Sequence, residues 1–340
     1  MRKPKTHFFL VLGLIAIGSS HHFLASTINI ANPSIQAEYN INIIQLSWVW
    51  SAFFLPHVAL MPLVGDLADI FGKKKVLLLG SVVFAVGTAF SLLIPNYSGL
   101  ILGRVMQGAG TAGINPVSMA YIQSAISVEN VDQIFGFWQG LGILTRTLGS
   151  SGAGWIIELW GWRAILFVAL CLALIGGIVL FYSVDAEKEK RGLKSSDWFG
   201  ALMFSLSLAT ILYAITSYER NGGNPPSSLL ILSVGLMGLV GFWLYETKIL
   251  KKEQRLFDIT LFSKPRFSRI SSLASLRLCM FNASFFVLPL YLEGVLNQSS
   301  KGVGLIIGAS QLMLAAGSAT AGKMSNALSL KQTNIIGMSI

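Results

Sequence analysis

Arg104, Gln107, Thr111 and Asn115 recur every three or four residues inside an apolar run, which sets a guanidinium, two amides and a hydroxyl on one helical face. Arg146 and Gln139, seven residues apart in another such run, share a face in the same way. His21, His22 and His57 fall in the first two apolar runs, and Ser19, His22, Ser26 and Asn29 form a polar stripe at helical spacing. The 15 Asp and Glu all lie in polar connections or at run ends, Glu246 and Glu293 included. A guanidinium within an apolar run is costly unless it meets water, a partner or a ligand. Such a set can bind a polar or anionic solute and pass a proton through an imidazole, which titrates near neutral pH. The simpler role for Arg104 is to hydrogen-bond neighbouring carbonyls, and for each His to sit as a structural group at a helix contact. Adjacent helical residues such as His21 and His22 point about 100° apart, and no Cys or acid accompanies them. No metal and no cofactor is therefore expected. No nucleophile–base pair or phosphate loop is present, so the pattern does not predict an enzyme.

These residues must be held by membrane helices. The chain of 340 residues is 53% hydrophobic and 12% charged, with mean hydropathy +0.66; soluble domains carry about 25% charged residues. About 20 apolar residues cross a bilayer as a helix. Spans are predicted at His7–Ala31, Leu46–Val64, Val76–Ile94, Gly99–Ile122, Gln133–Ile157, Arg163–Val184, Trp198–Tyr218, Leu229–Lys248, Phe267–Leu292 and Gly302–Gly322, with an eleventh beginning near Gln332. Arg2, Lys3, Lys5, Lys73–Lys75, Lys188, Lys190, Arg191 and Lys194 gather on one side, as do the basic residues of 248–269, Lys323 and Lys331. The other side has Arg163, Arg220 and Lys301, and Arg104, Arg146 and Arg277 are left within spans. The basic side is cytosolic by the positive-inside rule, which places the amino terminus inside. The net charge of +10 is spread between apolar runs rather than gathered in a patch, which excludes a nucleic-acid partner. Cys171 and Cys279 fall within spans as free thiols. Arg2–Lys5 followed by an apolar run imitates a signal peptide, but no small-residue cleavage site follows, and the run reads as a retained span.

Gly65-Asp66-Leu67-Ala68-Asp69-Ile70-Phe71-Gly72-Lys73-Lys74-Lys75 joins the second and third spans. Two helices joined this tightly must return antiparallel, with Gly65 and Gly72 allowing close approach or a sharp turn. Asp69 lies four residues before Lys73, a favourable spacing for a helical pair. The stretch resembles the loop signature of the major facilitator superfamily, G-x-L-a-D-r-x-G-r-k; Gly65, Leu67, Asp69, Gly72, Lys73 and Lys74 fit it, and Ile70 departs from its basic position. In that family the loop latches the two halves of a transporter at the cytosolic side. Arg104, Gln107, Gly108 and Gly110 resemble the family's fourth-span pattern R-x-x-q-G-x-g-a-a. Gly149-Ser150-Ser151-Gly152-Ala153-Gly154, followed by Gly161-Trp162-Arg163, resembles the antiporter signature G-P-x-x-G-G with its later W-R, Ser150 replacing the proline. The small residues Gly149, Gly152 and Gly154 still allow close helix packing. Leu24–Pro33 resembles the branch pattern L-D-x-T-I-V-N-V-A-L-P, with Ala25 where the family has a buried Asp.

The order of spans repeats. His7 to Gly65 covers much the same length as Phe267 to Gly322, and Gly322-Lys323 echoes Gly65-Asp66. The resemblance implies an all-α integral membrane fold of two pseudo-repeated six-helix bundles with two extra central helices, as in the fourteen-span drug:proton antiporter branch. The divisions are 1–184 for the first bundle, 185–197 for a cytosolic loop, 198–248 for the extra helices, 249–266 for a basic cytosolic linker and 267–340 for the start of the second bundle. The linker either lies in the inner headgroup region or is solvated. The second repeat stops after its first loop, so the reading frame is expected to continue for about 100–150 residues, at about 20 per span plus loops. The resemblance further implies a monomeric secondary transporter of the inner or plasma membrane, embedded in lipid, exporting drugs or amphipathic metabolites in exchange for protons. His22 is the expected replacement for the missing acid, with His21 and His57 as alternatives. The competing expectations are an organic-anion carrier, an uncoupled facilitator, and a membrane sensor on a carrier scaffold.

Overall fold

Long apolar runs can satisfy every backbone N–H and C=O inside a bilayer only as helices or closed barrels, and this chain forms helices. The computed structural model describes residues 4–125, 128–183, 197–220, 225–250 and 261–327. The helices are α1 Pro4–Thr27, α2 Asn32–Tyr39, α3 Ile43–Phe71, α4 Lys73–Leu93, α5 Tyr97–Thr111 and α6 Ile114–Ala125. They continue as α7 Val128–Trp160, α8 Arg163–Ser183, α9 Trp198–Arg220, α10 Pro225–Leu244, α11 Pro265–Gly294 and α12 Ser300–Ala327, with a π turn at Tyr245–Ile249 closing α10. Among the described residues, five helices are long and apolar enough to cross a membrane: α3, α4, α8, α10 with its π turn, and α11. The predicted spans match helices throughout the described residues. The eleventh span, most of loop 185–197 and residues 251–260 of the linker lie outside them.

Local chemistry explains where helices begin. Asn42 Oδ1 accepts from Gln45 N at 2.8 Å while Gln45 Oε1 accepts from Asn42 N at 3.0 Å, a reciprocal cap on α3. Asn96 and Asp197 cap α5 and α9 through Gly99 N and Gly200 N. The chain bends by 67° between α1 and α2, at the end of the first predicted span, where Pro33 opens α2. The fourth predicted span is broken in its middle, at Ala112–Gly113, between α5 and α6. By contrast α7 runs unbroken through Ser150, the position where the resembled motif has proline, because serine keeps the N–H that proline lacks.

Helix α1 packs on α8 and α7, α4 on α5 and α8, α3 on α5 and α9, α9 on α10, and α7 on α12. One apolar cluster gathers Leu24, Ile28, Leu100, Trp162 and Ile165; a second gathers Leu14, Ile17, Leu77, Tyr121 and Leu180. Leu79, Leu174 and Met237 point outward, as a lipid-facing surface requires. Lipid tails are as apolar as leucine, so close packing at small residues holds such helices together.

The end opposite Lys73–Lys75 is tied by a polar cluster. Arg163 Nη1 lies 2.5 Å from Glu38 Oε1, Trp162 Nε1 donates to Glu38 Oε2 at 2.6 Å, and Arg163 Nη2 donates to Tyr39 Oη at 3.1 Å. This joins α2, beyond the predicted first span, to the turn before α8. Burial alone would raise the Glu38 carboxyl, but the hydrogen bonds from Trp162 and Arg163 and the Arg163 charge outweigh it and hold the group below its ordinary 4.5. A carboxylate held low stabilises the fold above its unfolded pKa, and that contribution fades as pH falls through the folded one. Glu38 is exposed, so the contribution is about 1 kcal/mol or less. The melting temperature of the purified protein is expected to drop more steeply than that of Glu38→Gln as pH falls from about 5 to about 3. Parallel curves for the two proteins would remove Glu38 from the acid response.

Candidate functional site

A cavity of about 540 Å³ opens between the first helices and α11–α12. From α1 and the bend after it come His21, Ala25, Ser26 and Asn29. Helix α3 contributes Ser47, Trp50, Ser51, Phe53, Phe54 and His57, and α6 and α7 contribute Asn115 and Arg146. Helix α11 closes the opposite side with Leu278, Phe281, Asn282, Phe285 and Phe286, and α12 adds Gln311. Arg146 is the one Asp, Glu, Lys or Arg among these lining residues. Ala25, the position without its acid, is in the lining.

The three histidines meet. The His21 ring stacks on His57 at 5.6 Å between centroids and on Phe53 at 5.8 Å, and lies 5.3 Å from the His22 ring. His57 Nδ1 is 3.0 Å from Thr111 Oγ1, and the Thr111 hydroxyl is also within bonding distance of the Gln107 and Gly108 carbonyls. A hydroxyl has one proton. When Thr111 donates it to its own helix, His57 Nδ1 must donate to Thr111, leaving Nε2 as the acceptor nitrogen. His22 is placed differently from expectation: it is absent from the lining, and its Nδ1 accepts from Arg146 Nε at 3.2 Å. That bond needs an unprotonated nitrogen, because an imidazolium offers no acceptor. His21 and His57 thus face the cavity, and His22 is bonded to Arg146 instead. Among the described residues, no cluster of three or more His, Cys, Asp or Glu has an arrangement that could hold a metal ion.

The stripe expected from the fourth span divides at the break between α5 and α6. Asn115 reaches the cavity, whereas Arg104, Gln107 and Thr111 are sealed behind α3. Arg104 Nε donates to the Val49 carbonyl and Nη1 to Gln107 Oε1, both at 2.9 Å, and Gln107 Nε2 donates to Thr88 Oγ1 at 3.2 Å. The guanidinium lies 4.4 Å from the Phe53 ring centroid. Gln139 is exposed on α7 and is absent from the lining, so it does not join Arg146 there. Arg277 is exposed on α11.

At the Lys-rich end, α3 continues through Gly65 and Asp69 to Phe71, so Gly65 is an interior helical residue rather than a turn. The turn is Gly72 alone, at φ 91°, a conformation that favours glycine. It interrupts the helix between Asp69 and Lys73, so their four-residue spacing is not a helical one. Lys73 is buried and donates to Ser124 Oγ at 3.0 Å, and Lys74 donates to the Phe181 carbonyl at 2.7 Å. These bonds tie α4 to the ends of α6 and α8, within the first six spans.

A family model described as Major Facilitator Superfamily matches residues 14–340. The chain belongs to this superfamily. It is 27% identical over 321 residues to the riboflavin transporter RibZ of Clostridioides difficile, covering 94% of this chain and 68% of that protein. It is 26% identical to the multidrug resistance protein Stp of Mycobacterium tuberculosis, covering 87% of this chain and 55% of that one. The uncharacterized MFS-type transporter YhcA of Bacillus subtilis is 24% identical, with coverage of 82% and 52%. The chain spans about half to two thirds of the length of such relatives. Among solved structures, the human organic anion transporter MFSD10 superposes with a TM-score of 0.53 at 16% identity, covering 93% of this chain and 72% of that one, a likeness of fold. Members of the superfamily are transporters and not enzymes, and this chain shares with them several helices long and apolar enough to cross a membrane.

In superfamily terms, the small-residue motif of α7 is a seam with two sides. A Cβ on Gly149 would stand 2.8 Å from Ser26 Oγ of α1, and one on Gly154 would overlap the Ser300 carbonyl of α12. Gly152 has nothing within 4 Å of such a Cβ. The matching stripe on α12 is Gly304 and Gly308, whose added Cβ atoms would meet Ser150 O and Ser151 Oγ. The sequence reading missed that stripe, although its four-residue spacing was visible. It also missed Trp50, Gln311 and the α11 phenylalanines, which lie at positions that equally suit a lipid-facing side.

Proposed function

We propose that the protein is a secondary active carrier that exports amphipathic metabolites or drugs across the plasma membrane by alternating access, exchanging them for protons. The observation carrying this reading is the cavity between the first bundle and α11–α12, with His21 and His57 facing it beside Ala25. In the superfamily's parallel-repeat arrangement, rocking of the two halves about such a cavity exposes it to each side in turn. An imidazole pair cycles between neutral and cationic where a carboxylate would cycle between anionic and neutral, and either moves one proton. The α9–α10 hairpin fits the fourteen-span branch. The amino terminus is cytosolic by the distribution of basic residues, and Gly65, Asp69, Gly72, Lys73 and Lys74 form the cytosolic gate. Protomers act singly, with lipid as their surroundings.

Arg146 supports a variant of this reading in which the cargo is anionic, since a guanidinium lining a cavity without carboxylates attracts negative charge. The experiment is proton flux in proteoliposomes on addition of candidate solutes, for the parent and for His57→Gln, His21→Gln and His22→Gln. Solute-dependent flux in the parent that falls at least about a hundredfold in His57→Gln or His21→Gln supports the coupling, that being the lower range for loss of a positioned proton carrier. Solute transport without proton movement identifies a facilitator, and no movement of any solute favours a sensor.

A further inference from the structure

The cavity walls are chemically more specific than a generic amphipathic site. Trp50, Phe53 and Phe54 of α3 and Phe281, Phe285 and Phe286 of α11 give it aromatic surfaces on two helices. Aromatic faces set on opposing helices favour a flat ring between them, by stacking and edge contacts. A volume of about 540 Å³ is in the range of small-molecule sites. The electrostatics select further. Arg146 lines the cavity, and Arg104 stands behind the wall with its guanidinium over the Phe53 ring. Neither guanidinium has an ion pair with a carboxylate among the described residues, and charge effects are large where water is scarce.

Two polar atoms at the wall are left without protein partners. His21 Nδ1 and Asn29 Oδ1 are buried in residues 6% and 3% exposed, and both residues line the cavity. The Trp50 indole N–H, in a third lining residue, also lacks a partner. Buried polar groups normally find hydrogen bonds; these three belong to residues that line one aromatic cavity, where a small side-chain rotation on binding would turn them toward a ligand with a polar edge. We infer that the cavity takes a planar aromatic or heteroaromatic molecule carrying an anionic group, with the ring between α3 and α11 and the anion toward Arg146.

This inference rests on the carrier reading for its physiological meaning, but binding tests it apart from transport. The purified protein is titrated calorimetrically with 2-naphthoate, 2-naphthamide, 2-naphthylmethylammonium and cyclohexanecarboxylate. 2-Naphthoate is expected to bind at least about tenfold more tightly than each of the others, since one hydrogen-bonded charge or one stacked ring accounts for that factor. Arg146→Gln is expected to abolish the preference of naphthoate over naphthamide, and Arg146→Lys to retain part of it. Phe281→Leu is expected to weaken both aromatic ligands alike; being on the lightly packed α11, it leaves folding intact should Arg146→Gln fail to assemble. Preference for the cation or for the aliphatic acid overturns the inference, as does absence of naphthoate binding. Naphthoate binding without any solute transport would refute the carrier reading and leave this one standing. Transport of other solutes without naphthoate binding would do the reverse.

Discussion

Gly108→Leu will leave almost no folded protein. A Cβ at this position already overlaps the Phe53 carbonyl and stands 2.8 Å from Pro56 Cγ. Both obstacles belong to α3, and the first is backbone, which cannot rotate away. The side chain would have to push α5 off α3, where Arg104 bonds the Val49 carbonyl and Thr111 meets His57. Overpacking a well-filled interior costs about 1–3 kcal/mol when side chains can yield, and here two hydrogen-bonded contacts move as well. Size-exclusion chromatography of detergent extracts is expected to show an aggregate in place of the parent's single peak, with Gly108→Ala reduced several-fold. Gly65→Ala is the control: its added Cβ meets nothing within 4 Å. As an interior helical glycine it is expected to gain about 0.5–1 kcal/mol on replacement by Ala. A monodisperse Gly108→Leu would mean that α3 and α5 are not packed as closely as the structure places them.

The length and order of the helices were legible because bilayer thickness alone sets them, and hydropathy reports thickness directly. What hydropathy does not report is rotation about each helix axis. His21 and His22 differ by about 100° of rotation, and packing of α1 on α7 and α8 decides which ring enters the cavity. A regular 3.6-residue period placed Arg104, Gln107, Thr111 and Asn115 on one stripe, but the break at Ala112–Gly113 resets the period, and Asn115 parts from the rest. Partners far apart in the chain were equally out of reach. Glu38 meets Trp162 and Arg163 across more than a hundred residues, and nothing near Glu38 signals it. The Gly304–Gly308 stripe was readable as a small-residue motif, yet its partner on α7 depends on how α12 docks. The absence of an acid at residue 25 was legible from the resemblance, whereas the meeting of His21 and His57 in the cavity that Ala25 lines needed the third dimension.

Arg104 separates the two kinds of reading most sharply. From sequence it either lines a translocation path that binds a polar or anionic solute or bonds neighbouring carbonyls; in the structure it is 1% exposed and bonded to Val49 and Gln107. Arg104→Ala removes both donors at once and leaves a carbonyl and an amide oxygen to find new partners inside the protein. Each buried polar group left unsatisfied costs about 1–3 kcal/mol, and deletion of the long side chain adds a void that lost packing makes worse. A marginally stable protein does not survive the sum, so the variant is expected to lose most of its folded yield in detergent. Arg104→Lys keeps the charge but not the fork: a single ammonium on a flexible stem cannot reproduce the guanidinium's geometry toward Val49 O and Gln107 Oε1 while lying over Phe53. It is expected to fold with a melting temperature clearly below the parent's. In Arg104→Lys, naphthoate affinity is expected to fall less than in Arg146→Gln, because the positive charge behind the wall remains and Arg146 still lines the cavity. Thermal melting and the same calorimetric titration read both effects. Parent-like stability in Arg104→Ala, combined with lost anion binding, would return Arg104 to the path and show that the guanidinium acts on the ligand rather than on the fold.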